Sequence, residues 1–218
     1  MKKDLTEIAI VLDRSGSMAN VVNDTIGGYG NFIEGQRKTP GECVVSLFQF
    51  DNEYETVYQA TPVKEVKLPL LFLPRGGTAL LDAMGRTIAS VGARLSALDE
   101  SQRPEKVIVV IMTDGGENAS KEYSRDRVFE MIKLQKESYG WDFVFIGANQ
   151  DAISVGASFG IAAGKSMTYA SNAMGTSAAF ASLNSYTATI RGAASPVAVA
   201  SAVFSAEDRK KQKEAGAT

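Results

Sequence analysis

The chain has 218 residues, a formal net charge of −2, 44% hydrophobic residues, one cysteine and no histidine. That length and apolar content support one sizeable core, so a single domain with a short appendage is expected. The missing histidine removes Ser-His-Asp and Cys-His catalysis and every His-containing zinc site, and the scattered Lys and Arg give no face for nucleic acid.

Met1-Lys2-Lys3-Asp4 leads into a continuous apolar run, Ile8 to Leu12, which ends in Asp13-Arg14-Ser15-Gly16-Ser17-Met18. A run apolar at successive positions predicts a strand covered on both faces, and this one is too short and wrongly flanked for a secretory signal. Asp13, Ser15 and Ser17 alternate, so a loop curling round a point aims all three oxygens inward. Such a donor set suits a hard cation, with a plain strand and Ser-capped helix as the competing reading.

Val21, Val22, Ile26, Tyr29, Phe32 and Ile33 recur at helical spacing, and Pro40-Gly41 closes that segment. Cys43 to Phe50 and Tyr54 to Ala60 read as strands joined by the turn pair Asp51-Asn52, with Asp51 serving its own turn. Cys43 excludes an internal disulfide and reads as core filler. Leu73-Pro74-Arg75-Gly76-Gly77-Thr78-Ala79-Leu80 is a Gly-rich loop that presents a hydroxyl where a helix, Ala79 to Ala97, begins. Asp82 in its first turn is expected to favour the helix macrodipole, with support of Thr78 as the alternative.

Val107 to Met112 is a second buried strand, ending in Thr113-Asp114-Gly115-Gly116-Glu117-Asn118. Asn23-Asp24-Thr25 and Asn118-Ala119-Ser120 match glycosylation acceptors and are read as accidental. Arg127 to Glu137 is a helix and Trp141 to Ile146 a strand. After it, Asn149 and Asp151 are candidate caps, with partner contact as the alternative. Gly160-Ile161-Ala162-Ala163-Gly164-Lys165-Ser166 is one residue short of a phosphate loop and follows a helix, so that reading is set aside. Met167 to Ala170 is a short edge strand and Ser177 to Arg191 a last helix.

The division expected is a domain over residues 1–192 and an Ala/Ser-rich linker with a charged, solvated tail over 193–218, where Ser205 to Asp208 forms a capping box. A docking peptide is the alternative role for that tail. No segment approaches the ~20 apolar residues of a membrane span, so a cytoplasmic protein is expected. Strands alternating with helices predict a doubly wound, Rossmann-like α/β fold. Its six-stranded sheet is mostly parallel, in the order 3-2-1-4-5-6, with one antiparallel edge strand and helices on both faces. In that order the strands ending at Asp13 and Asp114 are neighbours flanking the crevice where such folds bind ligands.

Asp13-x-Ser15-x-Ser17, Thr78 and Asp114 together resemble the metal-ion-dependent adhesion site (MIDAS) of von Willebrand factor A (vWA) domains, in that family's order and rough spacing. The resemblance runs from about Leu5 to about Arg191. It implies that Ser15, Ser17 and Thr78 touch the ion or its waters, and that Asp13 and Asp114 hold it directly or through water. The ion implied is Mg²⁺ or Mn²⁺, with Ca²⁺ as an alternative, and the partner implied is a protein that supplies Asp or Glu as the last ligand. Arg14 either hydrogen-bonds that carboxylate or is an exposed loop arginine without a fixed partner.

A non-enzymatic adaptor or scaffold is the function this implies, and a structural or virion component using the same domain fits equally. A Mg²⁺-dependent phosphoryl hydrolase is the weaker alternative. Ser15 stands where a phosphoaspartyl hydrolase wants a second carboxylate, and Glu117 is the one candidate base. Thr113-Asp114-Gly115 and the Trp141 to Asp151 segment are similar to stand-alone intracellular bacterial or phage members, in the style of tellurium-resistance vWA proteins.

Overall fold

The computed structural model describes residues 1–148 and 151–217. Six strands, β1 (Lys2–Asp13), β2 (Glu42–Phe50), β3 (Tyr54–Pro62), β4 (Pro104–Thr113), β5 (Asp142–Ala148) and β6 (Ser166–Tyr169), form one sheet in the order β3-β2-β1-β4-β5-β6. All neighbours are parallel except β2 and β3, whose hairpin makes the antiparallel edge that the sequence predicts.

Five helices cover the two faces. Helices α1 (Val22–Lys38) and α5 (Ala173–Gly192) lie on one, and α2 (Leu80–Ser96), α3 (Arg125–Tyr139) and α4 (Ala152–Ser158) on the other. This explains the apolar run of β1. Ile8, Ile10 and Leu12 pack towards α1 and α5, while Ala9 and Val11 pack towards α2 and α3, so neither parity of the strand meets water. Leu12 is paired with Met112, so β1 and β4 end at one level, and their chains then leave to opposite faces. A crevice opens between the two exits.

Residues 193–217 correct one expectation, because they are neither an open linker nor a frayed tail. Two more helices, α6 (Pro196–Ser201) and α7 (Ala206–Glu214), fold back on the domain, and α7 starts with the capping box of Ser205 and Asp208. Phe204 lies with its ring 5.0 Å from that of Tyr186, and its N–H donates to Gly164 O at 2.8 Å. The Gln212 side chain is buried, accepting from Ala170 N–H at 3.3 Å and donating to Gly175 O at 3.1 Å. The apolar residues of this segment are mostly alanines and valines without a helical period, so they give no sequence signal, and its anchors Phe204 and Gln212 acquire partners only in the tertiary structure. Among the described residues no helix is long and apolar enough to cross a membrane.

Candidate metal centre

At the end of β1 the Asp13 carboxylate is fully buried, accepting the Ser15 N–H at 2.6 Å on one oxygen and the Thr113 hydroxyl at 2.5 Å on the other. The first bond is an Asx turn that curls the loop back on itself. Gly16 then passes so close to the next loop that its N–H donates to Gly76 O at 3.1 Å, and a Cβ on Gly16 would sit 3.3 Å from the same oxygen. The turn leaves the Ser15 and Ser17 hydroxyls 3.0 Å apart, and Ser17 donates to Asp114 Oδ1 at 2.5 Å across 97 residues of sequence.

Thr78 comes to the same point. A Cβ placed on Gly115 would lie 3.1 Å from Thr78 Oγ1 and 3.6 Å from Ser17 Oγ, so one glycine touches both hydroxyl-bearing loops. Asp13, Ser15, Thr78 and Asp114 are buried, and Ser17 is exposed at the mouth. The structure thus brings together all five residues that the sequence singles out.

The loops are braced by Asn118, Asn52, Glu117 and Asp82. Asn118 Oδ1 accepts the Thr78 N–H at 2.8 Å while the Asn118 N–H donates to Thr78 O at 3.1 Å, and Asn52 Oδ1 accepts the Gly77 N–H at 2.6 Å. Glu117 accepts from Leu81 N–H at 2.9 Å, Ser120 N–H at 2.8 Å and Ala119 N–H at 3.0 Å. In return, Asp82 of α2 accepts the N–H groups of Lys121, Glu122 and Tyr123 at 2.8 to 2.9 Å. Burial pushes the Asp82 carboxyl up, but these backbone donors outweigh it and hold the group below the usual aspartate value. Asp82 therefore braces the Thr78 region rather than serving the macrodipole alone. The triplet Asn118-Ala119-Ser120, read from the sequence as an accidental glycosylation acceptor, is part of this clasp.

Arg14 departs from both expectations. It is buried, with Nε 2.9 Å from Asp51 Oδ2 and Nη1 ion-paired to Glu55. Exposed Arg75 reaches the same Asp51 oxygen at 2.9 Å, and the Glu53 N–H donates to Asp51 Oδ1 at 2.7 Å. Asp51 serves its turn, as the sequence suggests, and also ties the first and second site loops together. Burial alone raises its pKa, yet the Glu53 N–H and the two guanidiniums bring it below the ordinary value. Asp151 caps α4, accepting from Ile153 and Ser154 N–H groups at 3.1 Å, whereas Asn149 lies outside the described residues.

The electrostatics of the five-residue cluster favour an added cation. Burial pushes Asp13 up to about 6 against hydrogen bonds from Thr113 and Ser15, with the Asp114 charge adding to the rise. Asp114 is raised by burial as well, opposed by the Ser17 hydroxyl. The donors are oxygens throughout, as hard cations require, and the 3.0 Å between the serine hydroxyls matches an octahedral edge of about 3.0 Å for metal–oxygen bonds of ~2.1 Å. Among the described residues no group of three or more His, Cys, Asp and Glu is placed to hold a metal ion, and the carboxylates of this cluster are accompanied by hydroxyls.

Solved structures share this architecture. The proximal thread matrix protein 1 of the mussel byssus, described with a zinc-occupied MIDAS motif, superposes at TM-score 0.58 with 16% identity, over 84% of this chain and 46% of that one. The fold is a vWA fold. The VWA2 paralogue of ArnB from Sulfolobus acidocaldarius matches at TM-score 0.50 and 22% identity, over 85% of this chain and 45% of that one. A mutant of the PilB minor pilin from Streptococcus sanguinis gives TM-score 0.57 and 12% identity, over 84% and 61%. The chain spans about half the length of the first two of these vWA-fold structures. No family model matches the sequence, and no curated protein does.

Proposed function

We propose that this chain is a metal-dependent protein-interaction module of the adaptor or scaffold kind. Asp13, Ser15, Ser17, Thr78 and Asp114 would hold one Mg²⁺ or Mn²⁺. The observation that carries this reading is the meeting of three loops at one solvent-facing point, where Ser17 donates to Asp114 at 2.5 Å and Thr78 stands beside Gly115. When bound, the cation supplies an open coordination position for a carboxylate from a partner protein. Asp13 and Asp114 balance its charge, the hydroxyls add none, and the clasps through Asn118, Asp82 and Glu117 keep the donors in place before the ion arrives.

The hydrolase reading loses its candidate base in this arrangement. Glu117 is engaged by Leu81, Ala119 and Ser120, so it caps backbone rather than facing the cluster. Calorimetric titration with Mg²⁺ and Mn²⁺ tests the proposal: one saturable site is expected, lost in Asp13→Ala and weakened in Thr78→Ala. Phosphatase and nucleotidase assays on the Mg²⁺-loaded protein should read background. No saturable binding, or binding unchanged by Asp13→Ala, would show the cluster to be purely structural.

A further inference from the structure

The five oxygen donors come from three loops, and a fourth segment, the Asp51-Asn52 turn between β2 and β3, supplies none of them but grips two of those loops. Three successive N–H groups around Thr78 are each held. Gly77 N–H donates to Asn52 Oδ1 at 2.6 Å, Thr78 N–H to Asn118 Oδ1 at 2.8 Å and Ala79 N–H to Asp51 O at 3.0 Å. The turn holds the first loop as well. Arg14 N–H donates to Phe50 O at 2.8 Å, and Asp51 Oδ2 takes both Arg14 Nε and Arg75 Nε at 2.9 Å. Asn52 also occupies the space a side chain at residue 76 would need, since a Cβ on Gly76, whose φ is +69°, would lie 2.3 Å from Asn52 Oδ1. Thr78 is thus fixed against the Asp13–Ser17 loop through its neighbours on both sides.

We infer that this turn is a gauge for ion size: by holding Thr78 against the Ser15–Ser17 loop, Asn52 and Asp51 act as positioning residues that favour Mg²⁺ or Mn²⁺ over Ca²⁺. This rests on the proposed metal-dependent function. The serine hydroxyls stand 3.0 Å apart, the edge that metal–oxygen bonds of ~2.1 Å require, whereas Ca²⁺ bonds of about 2.3–2.6 Å require octahedral edges of roughly 3.3–3.7 Å. A larger ion must push its donors apart by several tenths of an ångström. For Thr78 that movement strains the bonds made by the Gly77, Thr78 and Ala79 N–H groups. A smaller ion finds the loop already ordered, which leaves more of its interaction energy as affinity. Releasing the turn therefore acts on the two ions in opposite ways, because the small one loses a preformed site and the large one loses an obstacle. General damage to the fold weakens both alike, so the ratio of their affinities separates the gauge from mere support.

The test measures Mn²⁺ binding by calorimetry on the wild type, on Asn52→Ala and on Asn52→Asp, with Mg²⁺ and Ca²⁺ titrated in competition for the Mn²⁺ site. Asn52 is exposed, so both variants should fold, and Asn52→Asp keeps an oxygen for the Gly77 N–H. The wild type should take Mg²⁺ at least roughly tenfold more tightly than Ca²⁺. Asn52→Ala should shrink that ratio at least about fivefold, the change expected for one lost hydrogen bond, while Asn52→Asp should keep it within about twofold. Ca²⁺ bound by the wild type as tightly as Mg²⁺, a ratio unchanged in Asn52→Ala, or a ratio in Asn52→Asp as small as in Asn52→Ala would overturn the gauge while leaving the cation site standing. Absence of Mn²⁺ binding to the wild type would instead overturn the reading beneath it.

Discussion

Asp13→Asn offers the sharpest separation between a site built for a cation and a site built for stability. In the metal-free protein Asp13 titrates at about 6 against an ordinary 3.8, chiefly because burial disfavours its charge. The folded state therefore binds this proton more tightly than the unfolded chain, so the Asp13 contribution is most favourable below pH 3.8 and is lost as pH rises towards 6. At about 1.4 kcal/mol per tenfold, keeping the carboxylate ionised above that range costs roughly 3 kcal/mol. The amide removes the charge and keeps the contacts. Its oxygen still accepts the Ser15 N–H, and its NH₂ donates to Thr113 Oγ1, whose own proton then goes wholly to Gly115 O at 2.9 Å. In EDTA at pH 7.5 the variant should be more stable than wild type by up to about 3 kcal/mol, or several degrees in melting temperature. Mg²⁺ at a hundredfold excess over its dissociation constant should stabilise the wild type by about 2.7 kcal/mol and leave the variant unmoved. Urea denaturation with and without EDTA, at pH 4.5 and 7.5, measures all of this. A variant less stable than wild type in EDTA, or equally stabilised by Mg²⁺, would refute the reasoning.

Three further outcomes test the surrounding structure. Asp82→Ala strips the acceptor from the N–H groups of residues 121–123 and should cost about 2 kcal/mol by urea denaturation while weakening Mn²⁺ binding. Because the folded Asp82 pKa is depressed, the advantage of wild type over this variant is present above about pH 4 and should shrink on acidification below that. Arg191→Met removes donors to Gln36 O, Thr39 O and Gly41 O at 2.7 to 2.9 Å, freeing the carbonyls at the end of α1, and should cost about 3 kcal/mol in stability with metal affinity intact. Gln212→Leu leaves the Ala170 N–H and Gly175 O without their side-chain partner, and should cost about 1 to 3 kcal/mol and raise proteolysis after residue 193.

Much of this protein is determined locally. The both-faces burial of β1 and β4 is written in unbroken apolar runs, because a strand covered on two sides has no solvent parity to mark. The order of strands follows from alternation with helices, and with it the placing of Asp13 and Asp114 at neighbouring strand ends. The oxygen donors were legible because they lie at the ends of such runs, where a hydroxyl or carboxylate interrupts an otherwise apolar text. What only the tertiary structure decided is which polar groups brace that site and which segments are covered. Asn118 and Asn52 look like ordinary loop residues, since the backbone N–H groups that their side chains accept lie 40 and 25 residues away and no short-range spacing encodes them. Arg14 reads as an exposed loop residue until Asp51 and Glu55 are brought beside it. Residues 193–217 read as solvated because Phe204 and Gln212 have no periodic company. Their burial depends on surfaces that α5, β6 and the Gly164 turn create only once the domain has closed.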